Sequence, residues 1–311
     1  MQRFYHGGLG LLLMLSVAAC DVLQNANETT LSEEDTRVVA EIVAQSLADQ
    51  SDGMMTDLYD ATATFDQNGM YYWGGSAASK DGDVVQDPMQ GPRYWRGMRR
   101  GFRVDYDSAT GTHTIRFIHE VSRPNFQKSI EAVLKYIFKD SEGRFIARPR
   151  VERERIASIE FEGFRKGSVA HRMPSGNERS ASFERRAAWH VEGLEAESDT
   201  ITFEGEQEMK GARRFVNRQG QEVEQEFRAH LVTDGPIFIL KPSETDSLEH
   251  LTYGTLAYQV RMVKRTGDKE VVHEVEGTIE MNGDGSALMR FYGVPHTYRI
   301  FLSTGEVKRD S

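Results

Sequence analysis

The chain contains one cysteine in 311 residues, at position 20. An internal disulfide is therefore excluded, and so is a cysteine nucleophile anywhere in the later chain. Positive charge is in the minority: 38 Lys and Arg stand against 48 Asp and Glu, a formal net charge of −10. That balance argues against nucleic acid as a partner, because phosphate binding needs a basic surface. After Val17 no apolar run approaches the roughly 20 residues of a membrane-spanning helix. Complete catalytic signatures are missing as well. There is no Gly-x-Ser-x-Gly, no Walker-type phosphate loop, no His-Glu-x-x-His and no Gly-x-Gly-x-x-Gly after a strand-like run. No cofactor is implied.

What is present begins at the amino end. Arg3 precedes an apolar run from Leu9 to Val17, which closes on the small residues Val17-Ala18-Ala19 before Cys20. A positive start, an apolar stretch of about 7–15 residues and a small-residue cleavage site together make a secretory signal. Val17-Ala18-Ala19-Cys20 resembles the lipobox of bacterial lipoproteins. The resemblance covers only the first 20 residues. It implies a signal peptide over 1–19, a diacylglycerol on the Cys20 sulfur and a further acyl group, such as palmitate, on the new amino end. Each buried methylene contributes about 0.8 kcal/mol, and two chains suffice for a stable anchor. The expected place is then the cell membrane or the outer membrane, facing the periplasm or the exterior. Asp21 resembles the enterobacterial signal for retention on the inner membrane, a rule that does not hold in all bacteria. An ordinary secretory signal with an unmodified cysteine is the competing reading.

Residues 20–31 are short and polar and read as a lipidated tether. A helical segment is expected over 32–60. Ser32 offers an N-cap, Glu33, Glu34 and Asp35 suit the positive first turn, and Val38, Val39, Ile42, Val43 and Leu47 recur at helical spacing. Met54, Met55, Leu58 and Tyr59 suggest a second short helix after Gly53. From 61 to 101 glycines, prolines and aspartates dominate, with Tyr71, Tyr72, Trp73, Tyr94 and Trp95 among them, so a loop region is expected. Its aromatics argue against simple disorder.

The remainder, 102–311, alternates. Ile130, Ala132, Leu134, Tyr136 and Phe138 share one face against Glu131, Lys135 and Lys139, and Val271, Val275, Ile279 and Met281 oppose Glu274, Glu276 and Glu280. Such alternation marks half-buried antiparallel strands. Turn residues at 108–111, 140–143, 218–220 and 282–285 separate the runs. The fold class expected is therefore mainly β: a large curved antiparallel β-meander, open-barrel or sandwich-like, with an N-terminal amphipathic helix. About a dozen strands are expected, and the best linker candidate within them is 241–246.

Three weaker features bear on chemistry. His113 and His119 share a strand face but stand about 20 Å apart at 3.3 Å per residue, too far to share a metal ion, and His273 lies with Val271 and Val275, so a core or rim place with a local hydrogen bond is expected of these histidines. Asp81-Gly82-Asp83 with Asp87 departs from the twelve-residue calcium loop and reads as a surface turn. No metal ligand is assigned. The third feature is a basic, aromatic strip over 93–103 inside an acidic protein. Its candidate ligand-binding residues are Arg93, Tyr94, Trp95, Arg96, Arg99 and Arg100, suited to an anionic lipid or glycan. Pairing with carboxylates of neighbouring strands is the structural alternative. The function expected is a membrane-anchored cell-envelope lipoprotein, a non-catalytic binding or structural module carrying an apolar or anionic envelope ligand. The alternative is an envelope hydrolase, directed at glycan and using carboxylates.

Overall fold

Strand alternation governs most of the chain. In the computed structural model, which describes residues 31–51, 53–62, 99–149, 151–173, 177–195, 197–217, 219–241 and 247–310, two helices precede a single antiparallel sheet. The helices are α1 (Glu33–Leu47) and α2 (Met54–Thr62). The strands are β1 (Arg99–Asp107), β2 (Thr112–Arg123), β3 (Phe126–Lys139), β4 (Ser158–Arg172), β5 (Glu178–Glu192), β6 (Thr200–Val216), β7 (Glu222–Thr233), β8 (Ile237–Leu240), β9 (Thr252–Thr266), β10 (Lys269–Asn282), β11 (Ser286–Phe291), β12 (Val294–Phe301) and β13 (Val307–Asp310).

Each strand pairs with its sequence neighbour, so the sheet is a meander of 13 strands. One track is interrupted. β6 pairs with β8 through its first residues and with β7 through its later ones, and β9 continues the same two pairings. β7 and β8 are thus one line of chain broken at 234–236, where Pro236 has no N–H to give to a ladder. β8 and β9, on either side of the linker candidate at 241–246, pair directly. Among the described residues β1 and β13 do not pair with each other, so the sheet stays open. The expected turns recur with glycine in the left-handed region, as at Gly111 (φ 69°) and Gly283 (φ 71°).

The faces sort as the alternation demands. Ala132, Leu134, Tyr136 and Phe138 of β3 are buried on the inner face, while Lys135 is exposed. Aromatic rings lie against inner-face glycines: a Cβ on Gly163 would stand 2.7 Å from the Phe161 ring, and one on Gly167 equally close to Phe183. Glycines so covered let strands bend inward, which is how a meander this wide curls around a core.

That core is helical at its centre. Ser32 caps α1, its Oγ accepting the Asp35 N–H at 3.1 Å. Val39, Ala40, Ile42, Val43, Ala44 and Leu47 are fully buried, and within α1 only Glu33, Glu34, Arg37 and Gln45 are exposed. A helix lying on a flat sheet would bury one side; α1 is enclosed on most sides. It contacts β7, β9, β12 and β13. The turn into α2 needs Gly53, where a Cβ would meet the Leu47 carbonyl carbon at 2.5 Å. α2 then buries Met54, Met55 and Leu58 against α1, β4 and the 3-10 turn at Leu248–His250.

Candidate functional site

The inner face of β4, β5 and β6 is not purely apolar. Arg165 on β4 and Arg185 on β5 stand directly opposite each other in register, with side chains only 3 % and 2 % exposed. Opposed residues on antiparallel strands have Cβ atoms about 5 Å apart, so like charges there repel. In a buried setting that repulsion needs an anion to neutralise it.

Asp57 supplies the anion. It sits in the middle of α2, fully buried, and points its carboxylate between the two guanidinium groups. Oδ1 accepts from Arg165 and, at 2.8 Å, from Arg185; Oδ2 accepts the indole N–H of Trp189 at 3.1 Å. Arg185 also donates to Gln207 on β6 at 3.3 Å, and the Gln207 amide donates to the Ser46 carbonyl of α1 at 2.8 Å. One connected network therefore ties both helices to three strands. Burial pushes the Asp57 carboxyl up to about 6, against the pull of the Arg165 charge and the hydrogen bonds from Trp189 and Arg165.

A second polar contact holds α2 two residues later. The Tyr59 hydroxyl donates to Glu249 Oε2, accepts the Leu248 N–H at 3.2 Å, and shares Glu249 with Ser247. Glu249 is 2 % exposed, and its Oε1 has no hydrogen-bond partner among the described residues. Desolvation, with the adjacent Glu249, holds the Tyr59 phenol well above its usual range.

The outer face uses the same residue types differently. Glu131, Lys166, Glu184 and Lys210 form one row across β3–β6. Its charges find exposed partners: Lys166 meets Glu131 at 2.8 Å, and on neighbouring strands Arg265 meets both Glu226 and Glu270 at 2.8 Å. A shallow trough of about 840 Å³ crosses this face, lined by Ser168, Ser182, Lys210 and Arg228 among others. Another, of about 540 Å³, lies where α1 meets β13 and is lined by Arg37, Glu41, Arg213 and Arg309 with further residues. Both mix cations with carboxylates.

Of the two histidines on one face of β2, His113 is buried. His113 Nε2 lies 3.0 Å from the Ile146 carbonyl oxygen, and burial lowers its pKa. His273 approaches Asp35 at 3.5 Å. Among the described residues no group of three or more His, Cys, Asp or Glu is arranged to hold a metal ion. Of the basic strip, Arg99 and Arg100 are not in a loop. They open β1, in register with His119 and Ile118 of β2, because β2 offers a free ladder there. Arg93, Tyr94, Trp95 and Arg96 lie outside the described residues, as do Cys20 and the aspartates at 81, 83 and 87.

No family model, curated protein or solved structure matches this chain.

The sequence carries only a faint trace of the buried cluster. Arg165 shares its inward parity with Phe161 and Gly163, Arg185 with Trp189 and Val191, and Gln207 with Phe203 and Met209. Three consecutive strands thus each carry a buried polar residue among apolar inward neighbours. Asp57 between Met55 and Leu58 is the matching anomaly on α2.

Proposed function

We propose that this chain is a lipid-anchored cell-envelope protein whose folded part is a non-catalytic binding or structural module. The observation that carries the reading is the filled concave face. α1 and α2 occupy the space that an open catalytic cleft would need, with Val39, Ile42, Val43, Met54 and Leu58 at zero exposure. A glycan hydrolase places two carboxyl groups about 5–10 Å apart beside its substrate, one held above its ordinary range. Among the described residues Asp57 is the one carboxylate shifted upward, and it faces two arginines, not a second acid.

The anchor is supported by Val17-Ala18-Ala19-Cys20 and by the absence of any other thiol. Mass spectrometry of the mature protein is expected to find an acylated amino-terminal Cys20, and Cys20→Ala to leave the precursor uncut. An unmodified amino terminus elsewhere would defeat the anchor. Arg93, Tyr94, Trp95, Arg96, Arg99 and Arg100 remain the proposed contact for anionic lipid or glycan. Changing Arg96, Arg99 and Arg100 to Gln is expected to abolish salt-sensitive binding to anionic liposomes while leaving thermal stability unchanged. A large stability loss would instead assign the strip to the fold.

A further inference from the structure

We propose that the concave face of the sheet is a latent site for an anionic amphiphile, and that Asp57 of α2 occupies it in place of the ligand's head group. Every donor in the cluster belongs to the sheet: Arg165 on β4, Arg185 and Trp189 on β5, Gln207 on β6. The acceptor belongs to a nine-residue helix outside the ladders. The sheet therefore presents a converging pair of planar guanidinium forks and an indole N–H, a donor set that fits a sulfonate, phosphate or carboxylate. With the two arginines opposed in register, the face needs an anion whatever its source.

α2 meets that need as an amphiphile would. Its carboxylate sits beside Met54, Met55 and Leu58, all fully buried where α2 packs on α1, β4 and the 3-10 turn at Leu248–His250, so a charged head and an apolar body are buried together. Methionine side chains are flexible and leave an adaptable contact when they depart. A helix of nine residues has little stability of its own. It is held by Asp57, by the contact of Tyr59 with Glu249 and by apolar packing, and it can leave without unzipping any strand pair. A ligand's alkyl chain then takes the place of Met54, Met55 and Leu58, and its head takes the place of the Asp57 oxygens.

This deepens the reading of the chain as an envelope binding module and rests on it. The test uses the full chain in phosphatidylcholine nanodiscs, titrated with octyl sulfonate, inorganic sulfate or octyltrimethylammonium. A built-in competitor weakens apparent affinity by the fraction of time it holds the site, so Asp57→Asn should bind octyl sulfonate about tenfold tighter than the parent. Adding Arg165→Met and Arg185→Met should remove that binding. Sulfate should bind at least about tenfold more weakly than octyl sulfonate for want of a tail, and the cation should not bind. In the unmutated chain, octyl sulfonate should speed amide hydrogen exchange across Met54–Thr62 while β4–β6 stay protected. This second measurement decides the matter if Asp57→Asn does not fold. A folded Asp57→Asn that binds no tighter, arginine changes without effect, sulfate binding as tight as octyl sulfonate, or an unchanged α2 would each overturn the site. An unmodified Cys20 with this binding intact would overturn only the anchor, and an acylated Cys20 without the binding would overturn only the site.

Discussion

Arginine meets carboxylate on both faces of this sheet, and the two meetings have opposite consequences. On the outer face Arg265 bridges Glu226 and Glu270 with 40 % of its side chain exposed. On the inner face Arg185 and Arg165 share one carboxylate with almost none exposed. Water screens the outer pairs, and the entropy cost of holding long side chains offsets much of their attraction. Inside, removing one partner leaves charge stranded where water cannot reach. The outer face is thus tolerant of change and the inner cluster is not.

That contrast can be broken by experiment. Asp57→Ala should lower unfolding free energy by about 3–5 kcal/mol in chemical denaturation, since two buried guanidinium groups lose their shared acceptor. A loss below about 1 kcal/mol would mean the arginines find other partners, and the faces would not differ. Ile42→Ala, at a fully buried position of α1, should cost about 2–5 kcal/mol through the cavity it leaves. An unchanged melting temperature would show that α1 is not part of the core.

The pH dependence sharpens the same comparison. In the folded chain the Asp57 pKa is about 6, against an ordinary 3.8. Between these values the folded state keeps a proton that the unfolded chain has released, so this contribution to stability grows as pH falls from 6 towards 4. Above 6 both states are ionised and the contribution is flat. Asp57→Asn should remove a slope on the order of 2 kcal/mol across that window, read from denaturation midpoints of the two proteins. A slope of opposite sign would show the guanidinium pair outweighing burial. The smallest effect belongs outside: Arg265→Ala should cost less than about 1 kcal/mol and lose even that in high salt.

Period-two alternation made the meander legible because each strand has one wet and one dry face. Ser32 and the spacing of Val39, Ile42 and Leu47 made α1 legible for the same reason, at a different period. What alternation hides is curvature. Nothing local says that the sheet curls around α1, since that depends on glycines such as Gly163 and Gly167 being covered by rings from nearby inner-face positions. The buried cluster was missed for a related cause. A single arginine in a strand reads as solvent-facing until parity is counted against its neighbours, and Asp57 lies more than a hundred residues from Arg165. The basic strip drew notice because charge density is a local property, whereas the inner cluster is assembled only by folding.

The enclosure of α1 also dictates an order of events during folding. Apart from β6–β8 and β7–β9, strand pairs here are sequence neighbours, and such local contacts can zip hairpin by hairpin with little loop-closure cost. α1 is the exception. Its Thr36 hydroxyl meets the Tyr298 hydroxyl at 2.9 Å across 262 residues of chain, and Arg309 reaches back to Glu33. A chain emerging amino end first exposes the apolar sides of α1 long before β12 and β13 exist to cover them. The earliest helix is therefore the last element to be sealed, and during that interval it is a segment for a chaperone to shield.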